Sequence, residues 1–368
     1  MQIWQNIYVI LHIWARETMI NNNLTNKEKL VLYGLTKYPD IQDYKLAEKL
    51  GLKQTTVSSI KRRLKEEKFF RHIRVPLLQD IGCEMLVGIH ANFNPIIPLE
   101  QRVEIASKNI EIFDEIFFSV GEQEKGFSLS LAKNYTSIGK INDIRTKTFG
   151  EMSLLEEDYP HEIIIPFEIS KIYRFFDFDR AIKKLFRIDI EDNKTSFVWF
   201  EKRNQLLKLP ENEKKVYYAL IKYPDLSLIE LSKEIGISRH TISKMKKTFI
   251  KNNLMKEKNI PNLRKLGFEI ISFYHIKFDP KNPPLEKHIK ALDTEDTFFL
   301  ASRKFECLIL SVYKNYNDYK IDKMKKIEFL RRENLVCKPP LIRKYIIDRM
   351  YVIKDLEFAP IVKKILGI

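Results

Sequence analysis

The sequence has few of the residues that build phosphate loops and metal sites. Its 368 residues include 11 glycines, and no P-loop, Gly-x-Gly-x-x-Gly or Gly-x-Ser-x-Gly pattern occurs. The three cysteines, Cys83, Cys307 and Cys337, form no Cys-x-x-Cys pair, and the seven histidines have no metal-ligand spacing. We therefore expect no metal, no cofactor and no catalytic site, and we expect that the protein is not an enzyme.

Long apolar runs are also missing. The apolar segment MQIWQNIYVILHIWA at residues 1–15 is shorter than the roughly 20 residues that a membrane-spanning helix needs. It has neither the basic start nor the small-residue cleavage site of a signal peptide. We treat residues 1–23 as an N-terminal extension, which either packs as an extra helix or precedes a true start at Met19. We expect a cytoplasmic protein with no membrane partner, and the sparse cysteines fit a reducing compartment.

Basic residues outnumber acidic ones. The chain has 64 Lys and Arg against 49 Asp and Glu, a formal net charge of +15. A folded chain with this excess is biased towards polyanions such as DNA, RNA or an acidic membrane surface. The alternative is a thermophile protein that is merely rich in lysine.

One long pattern occurs twice. KYPDIQDYKLAEKLGLKQTTVSSIKRRL begins at Lys37, and KYPDLSLIELSKEIGISRHTISKMKKTF begins at Lys222, 185 positions later. Further matches follow in the same order, and the copies span roughly 24–190 and 209–368. This predicts a duplicated two-domain unit. We place the domains at 24–80, 81–188, 209–265 and 266–368, with a linker at 189–208.

The first part of each copy predicts a helix-turn-helix. In the second copy, Ser227 and Glu230 form a capping box at the start of a short amphipathic helix. Gly236 ends that helix, and Ser238 is a suitable N-cap for the next one. The first copy repeats the plan around Gly51. Two short helices joined by a glycine-containing turn, after one earlier helix, are typical of a DNA-binding module.

The second helix of each module exposes a face without carboxylates. Short polar side chains at the start of such a helix can reach base edges, and basic ones further along meet phosphates. The alternative is an ordinary solvated basic face. The predicted DNA-binding residues are Lys53, Gln54, Thr55, Ser58, Lys61 and Arg62 in the first copy, and Arg239, His240, Ser243, Lys244, Lys246 and Lys247 in the second.

A short strand-like run follows each recognition helix, at 69–75 and 254–260. We expect a wing there, which makes each module a winged helix-turn-helix. Arg71, Arg74, Lys256 and Lys258 would then be available to phosphate.

From residue 84 the pattern changes to β-α-β-β-α-β, and the second copy follows from residue 269. This order predicts a ferredoxin-like domain. The predicted fold class is therefore α+β, a duplicated unit of a winged helix-turn-helix followed by a ferredoxin-like βαββαβ domain.

This domain order resembles the Lrp/AsnC (feast/famine) family of prokaryotic regulators, in tandem, and the Lys/Ile/Asn-rich composition resembles archaeal members. The resemblance implies a DNA-binding domain and an α/β domain that assembles subunits and, in some members, senses a small-molecule effector. The family often carries a glycine at the turn where effectors bind. Ser119-Val120-Gly121-Glu122 keeps that glycine, so the resemblance implies effector contacts at Gly121 and Glu122. The matching segment 301–304 has none.

We therefore predict a transcription regulator that binds double-stranded DNA. The two recognition helices differ, so the predicted DNA site is asymmetric or pseudo-palindromic. Self-association as a homodimer remains open. The alternative function is a winged-helix protein–protein adaptor that docks on the basal transcription machinery.

Overall fold

The computed structural model describes residues 24–156, 160–190 and 206–368. The predicted N-terminal extension and most of the predicted linker lie outside these ranges. Within them, no helix is both long and apolar enough to cross a bilayer.

The first half begins with three helices and continues as an α/β domain. Its elements are α1 (Asn26–Lys37), α2 (Asp43–Leu50), α3 (Gln54–Glu66), β1 (Phe70–Pro76), β2 (Met85–Asn92), α4 (Leu99–Glu111), β3 (Ile116–Glu122), β4 (Lys125–Ala132), α5 (Tyr135–Glu151), β5 (His161–Pro166), β6 (Ser170–Phe175) and α6 (Asp179–Phe186).

The second half repeats this order. Its elements are α7 (Glu211–Lys222), α8 (Leu228–Ile235), α9 (Arg239–Lys251), β7 (Met255–Pro261), β8 (Ile270–Lys277), α10 (Glu286–Leu292), β9 (Thr297–Arg303), β10 (Glu306–Tyr313), α11 (Tyr316–Arg332), β11 (Leu341–Ile346), β12 (Tyr351–Asp355) and α12 (Ala359–Leu366).

The predicted helix ends are confirmed in the second half. Ser227 accepts a hydrogen bond from the Glu230 amide, and the Glu230 carboxylate accepts one from the Ser227 amide, which is the capping box before α8. Gly236 follows α8 in the left-handed conformation at φ 70°, which glycine adopts without steric cost. Ser238 caps α9 by accepting from the Thr241 amide. These local contacts fix where α8 ends and where α9 begins.

The two α/β domains exchange a strand. One sheet has the order β12-β3-β4-β2-β5, and the other has the order β11-β8-β10-β9-β6. Four strands of each sheet have the ferredoxin-like order, and the fifth strand at the edge comes from the other half. After each exchanged strand, the chain leads back to the three-helix group of its own half, where α6 packs on α1 and α12 packs on α7. Residues 170–186, which the sequence analysis placed in the first α/β domain, therefore connect three domains.

The two sheets also pack against each other. The rings of Phe127 and Phe273, one from each half, lie 5.4 Å apart between centroids. At Gly88 in β2, a Cβ atom would lie 3.1 Å from a methyl group of Leu308 in β10, so the absence of a side chain allows this close approach. Apolar residues from both sheets and both three-helix groups belong to one continuous core. The halves consequently form one body, like the two subunits of a dimer.

Candidate nucleic-acid interface

A two-stranded ribbon joins the two helix-turn-helix modules. Strands β1 and β7 pair antiparallel along their whole length, with Ile73 opposite Lys258. An antiparallel pair has a local two-fold axis perpendicular to the ribbon. That axis relates the two modules and keeps equivalent helices on the same side of the ribbon. Helices α3 and α9, which the sequence predicted as recognition helices, each contact the ribbon strand of their own half.

The start of α3 is open to solvent. Lys53, Gln54, Thr55 and Arg62 are exposed, as the sequence predicted. Ser58 and Lys61 are half-buried, since both donate to the Asp43 carboxylate, at 2.7 and 2.8 Å.

The acid on α2 therefore neutralises part of the predicted basic face. Burial would raise the pKa of Asp43, but the hydrogen bonds from Lys61 and Ser58 hold it below its usual value. Asp43 thus stays ionised and holds both side chains against α2.

The face of α9 is more basic and more open. Arg239, His240, Lys244 and Lys247 are exposed, and Ser243 is half-buried. Lys246 turns back to the ribbon, where its Nζ lies 2.6 Å from the Glu257 carboxylate. Four of the six predicted DNA-binding residues thus remain accessible at each of the helices α3 and α9.

Neither module has the predicted wing among the described residues. The runs predicted as wings form β1 and β7, which pair with each other across the two halves. Arg74 is buried, and it donates to the Leu220 carbonyl oxygen and to Glu257. Lys258 is buried and paired with Asp177. Neither side chain is accessible to a phosphate, which corrects the prediction for both.

The other two predicted wing residues are only partly open. Arg71 is half-buried and donates to the carbonyl oxygen of Asp355 at 2.9 Å. Lys256 is half-buried, and burial lowers its pKa to about 8. The ribbon therefore serves to join the halves, and its basic residues are used mainly within the protein.

Glu257 is the carboxylate of the ribbon that pairs with several neighbouring cations. Its carboxylate lies within 3.3 Å of Arg74 Nε and 2.6 Å of Lys246 Nζ. Burial would raise the pKa of Glu257, but Lys246, His72 and Arg74 hold it below the usual value. The buried carboxylate is thus ionised and fixes the base of α9.

The predicted effector residues lie beside a cavity in the first α/β domain. Gly121 and Glu122 line it, together with Arg102 of α4 and Arg145 of α5. Glu122 accepts from the Ile346 amide at 3.3 Å and lies 3.5 Å from Lys125. Neither arginine could be predicted from the sequence, because its only signal there is a basic residue on the apolar side of a helix.

Three histidines meet where the two sheets pack. The His90 ring stacks on His161 with centroids 4.9 Å apart, and the ring of His275 from the other half lies 6.2 Å away. Burial, followed by the nearby Arg343, lowers the pKa of His90 to about 2. His90 is therefore neutral at physiological pH. Among the described residues, no group of three or more His, Cys, Asp or Glu side chains is placed to hold a metal.

No protein-family model and no curated protein matches the sequence. Among solved structures, the siroheme decarboxylase NirDL matches 93% of this chain and 99% of its own, with a TM-score of 0.51 and 10% identity. A transcriptional regulator from Neisseria meningitidis, solved with L-methionine, matches 39% of this chain with a TM-score of 0.32 and 10% identity, and covers 90% of its own chain. An AsnC-family regulator from Pyrococcus furiosus matches 39% with a TM-score of 0.30 and 18% identity, and covers 89% of its own chain.

The match to NirDL corrects one prediction. The expectation that the protein is not an enzyme is wrong as an inference from its architecture, because a chain of the same architecture over nearly its full length is a decarboxylase. The fold of this chain, with both α/β domains and both three-helix groups, is similar to that of siroheme decarboxylase NirDL.

Proposed function

We propose that the chain is a transcription regulator of Lrp/AsnC type, built from a tandem duplication, that reads duplex DNA with α3 and α9. One observation carries the proposal: the antiparallel β1–β7 ribbon relates two helices, α3 and α9, whose exposed faces carry no carboxylate over residues 53–62 and 238–251. The cations that stay exposed on the two helices, among them Arg62 and Lys247, complement the phosphate backbone.

The two helices differ at the positions that reach base edges. Gln54 and Thr55 begin α3, and Arg239 and His240 hold the same positions in α9. Glutamine pairs best with adenine and arginine with guanine in the major groove. The proposed site is therefore two unlike half-sites, spaced about one helical turn apart or a multiple of it.

Selection from random duplex DNA with the full chain tests this proposal. The expected result is one enriched motif with two non-identical halves, one of which contains a guanine contacted by Arg239. The matched control is Arg239→Ala, which should relax the sequence preference in that half alone. Failure to enrich any motif, with only weak length-dependent binding, would contradict the proposal. A stable complex with a transcription protein under the same conditions would support the adaptor alternative.

A second candidate function follows from the likeness to siroheme decarboxylase. An open cleft of about 580 Å³ lies in the second α/β domain, beside the edge where β6 joins β9. Cationic Lys171, Arg303 and Lys304 line it together with acidic Glu168 and Glu286 and with Tyr173 and Ile289. Lys171 pairs with Glu286 and Arg303 with Glu306, so a flat molecule with several carboxylates, such as a tetrapyrrole acid, would replace these ion pairs with its own.

Anaerobic incubation with siroheme tests the second candidate. Loss of CO₂ from the tetrapyrrole, detected by mass spectrometry, would support it, and Arg303→Ala should then weaken tetrapyrrole binding. The control variant Lys247→Ala lies on α9 and should leave that reaction unchanged. Intact siroheme, in the presence of a DNA motif from the selection, would leave regulation as the function.

A further inference from the structure

The outer face of α11 combines exposed apolar side chains with exposed cations. Ile321 and Met324 are 45% and 56% exposed, and they share one side of the helix because they lie three residues apart. Four exposed cations flank this pair, with Lys320 and Arg331 on one side and Lys325 and Arg332 on the other. The opposite side of α11 packs on β8 and β10. The outer face therefore presents an apolar strip between two rows of cations.

Carboxylates of the chain itself compensate this face only in part. Of the four flanking cations, Arg332 alone forms an ion pair within the described part of the chain, with Glu333 at 3.2 Å. Arg332 is 71% exposed there, so this pair is weak and open to exchange. One further exposed carboxylate, Glu328, lies on the same face. Four cations against two carboxylates leave the face positive, and its complement is an acidic surface.

The first half shows that the fold does not require such a face. Helices α5 and α11 both have 17 residues and begin with tyrosine, and each packs on its own sheet. Charged Lys140 and Asp143 of α5 hold the positions of the apolar pair. None of the positions that correspond to the four cations is basic, since they hold Gly139, Ile144, Gly150 and Glu151. The apolar strip and its flanking cations thus belong to the second half alone, and packing on the sheet does not explain them.

We propose that this face of α11 binds an acidic amphipathic helix of another protein. Ile321 and Met324 would pack against the apolar stripe of that helix, and the cations on both sides would pair with carboxylates that flank the stripe. From Lys320 to Arg332 the face is about 18 Å long, which matches a partner helix of about three to four turns.

Two other polyanions fit this face less well. Duplex DNA would set its phosphates against Ile321 and Met324, which offer them no hydrogen bond or charge. An anionic membrane favours a helix that inserts its broad apolar side, and α11 turns that side to its own sheet. The proposal does not depend on whether the chain binds DNA or a tetrapyrrole.

Binding of a synthetic helical peptide to the full chain tests the proposal. The probe has about 15 residues, with leucines along one face and glutamates on both sides of them. Fluorescence anisotropy should show saturable binding at one site per chain, weakened by added salt. A peptide of the same composition in scrambled order should bind at least about tenfold more weakly. Equal binding of both peptides would show attraction by charge alone and would overturn the proposal, as would the absence of binding.

Substitutions on the two equivalent helices locate the site. Ile321→Lys with Met324→Asp gives α11 the residues of α5 and should weaken peptide binding by about tenfold or more. Because both side chains are exposed, the Tm should stay close to that of the wild type.

A second pair of variants is matched in charge. Lys325→Ala with Arg331→Ala should weaken peptide binding by about threefold or more and flatten its salt dependence. Lys140→Ala with Lys147→Ala removes the same charge from the exposed face of α5 and should leave the binding unchanged. Equal losses from the two double variants would overturn the proposal.

Competition identifies the occupant. Duplex DNA that displaces the peptide, or vesicles of phosphatidylcholine and phosphatidylserine that bind the wild type but not the Ile321→Lys, Met324→Asp variant, would overturn the assignment to a protein helix. Sedimentation of the chain without peptide tests a second copy as the occupant. A dimer that this variant dissociates would overturn the assignment to another protein.

Discussion

Arg74 donates a hydrogen bond from Nη1 to the carbonyl oxygen of Leu220 at 2.8 Å, and the two residues come from different halves of the chain. The amide that would normally satisfy this carbonyl four residues later belongs to Pro224, which has no N–H. The first half mirrors the arrangement, since Asn259 donates to the Leu35 carbonyl oxygen at 2.8 Å, and Pro39 follows four residues after Leu35. Each ribbon strand thus caps the first helix of the other half.

Arg74→Ala should destabilise the protein by about 2–4 kcal/mol, because it leaves a buried carbonyl oxygen unsatisfied and removes a cation from buried Glu257. Urea unfolding measures the change. The control is Arg71→Ala on the same strand, which breaks a partly exposed ion pair with Asp355 and should cost less than about 1 kcal/mol. If Arg74→Ala instead left stability unchanged and weakened DNA binding, the residue would face DNA and the ribbon contacts would be incorrect.

Arg62→Ala and Lys247→Ala should each reduce the slope of log K against log salt by about 0.9, because each exposed cation neutralises one phosphate. Arg62 is 76% exposed, and its ion pair with Glu66, at 4.0 Å between two exposed side chains, is weak enough for a phosphate to replace. The matched control is Lys246→Ala, next to Lys247, because Lys246 is paired with Glu257. Fluorescence anisotropy at several salt concentrations gives the slopes. Equal losses for Lys246→Ala and Lys247→Ala would contradict the orientation of α9.

The double substitution Arg239→Gln and His240→Thr gives α9 the residues that α3 carries at the same positions. Because these positions begin the two recognition helices, the preferred DNA site should become more palindromic. The measurement is a repeat of the selection from random duplex DNA. Gln54→Arg with Thr55→His is the reciprocal variant and should shift the other half-site. A motif that neither variant changes would show that other residues contact the bases.

Stability should fall as the pH drops below about 6.5, with His90 contributing about 1.4 kcal/mol per pH unit. The folded pKa of about 2 lies below the unfolded value, so the unfolded state binds the proton first and acid favours unfolding. The cationic or protonatable groups Arg343, His161, His275 and Lys277 all disfavour a charged His90. Burial also lowers the pKa of His72, so a part of the acid sensitivity does not depend on His90.

His90→Phe keeps a ring between the sheets and removes the titrating group. Urea unfolding at pH 7.5 and pH 5 should show a smaller loss of stability for this variant than for the wild type. The same pH dependence in both proteins would show that His90 is already hydrated or charged in the folded state.

Signals within one segment allowed most helices and strands to be predicted. Ser227, Glu230 and Gly236 act on their own neighbours in the chain, so their spacing alone predicts where α8 begins and ends. The accessible parts of both recognition helices could be predicted for the same reason. In the sequence, Pro224 indicates only a turn, and the open carbonyl that it leaves on Leu220 becomes visible only when Arg74 is placed beside it.

Contacts between the halves could not be predicted in this way. Strands β6 and β12 have six and five residues, and nothing in so short a run indicates which sheet it joins. The basic alternation of β1 and β7 is compatible with a wing, and only their mutual pairing buries Arg74 and Lys258. Arg145 resembles any helical arginine in sequence, and its burial beside Gly121 and Glu122 emerges only in three dimensions.

The exchanged strands have a consequence for how the two halves of the chain evolve. Regulators made of separate subunits can form mixed assemblies with relatives, and their activity falls when dilution separates the subunits. Here each sheet is completed by a strand, β6 or β12, that is covalently part of the same polypeptide. The pairing of unlike halves is therefore inherited with the gene. This pairing does not depend on the protein concentration. The sequence of each half can diverge only as long as it still packs against the other half of the same chain.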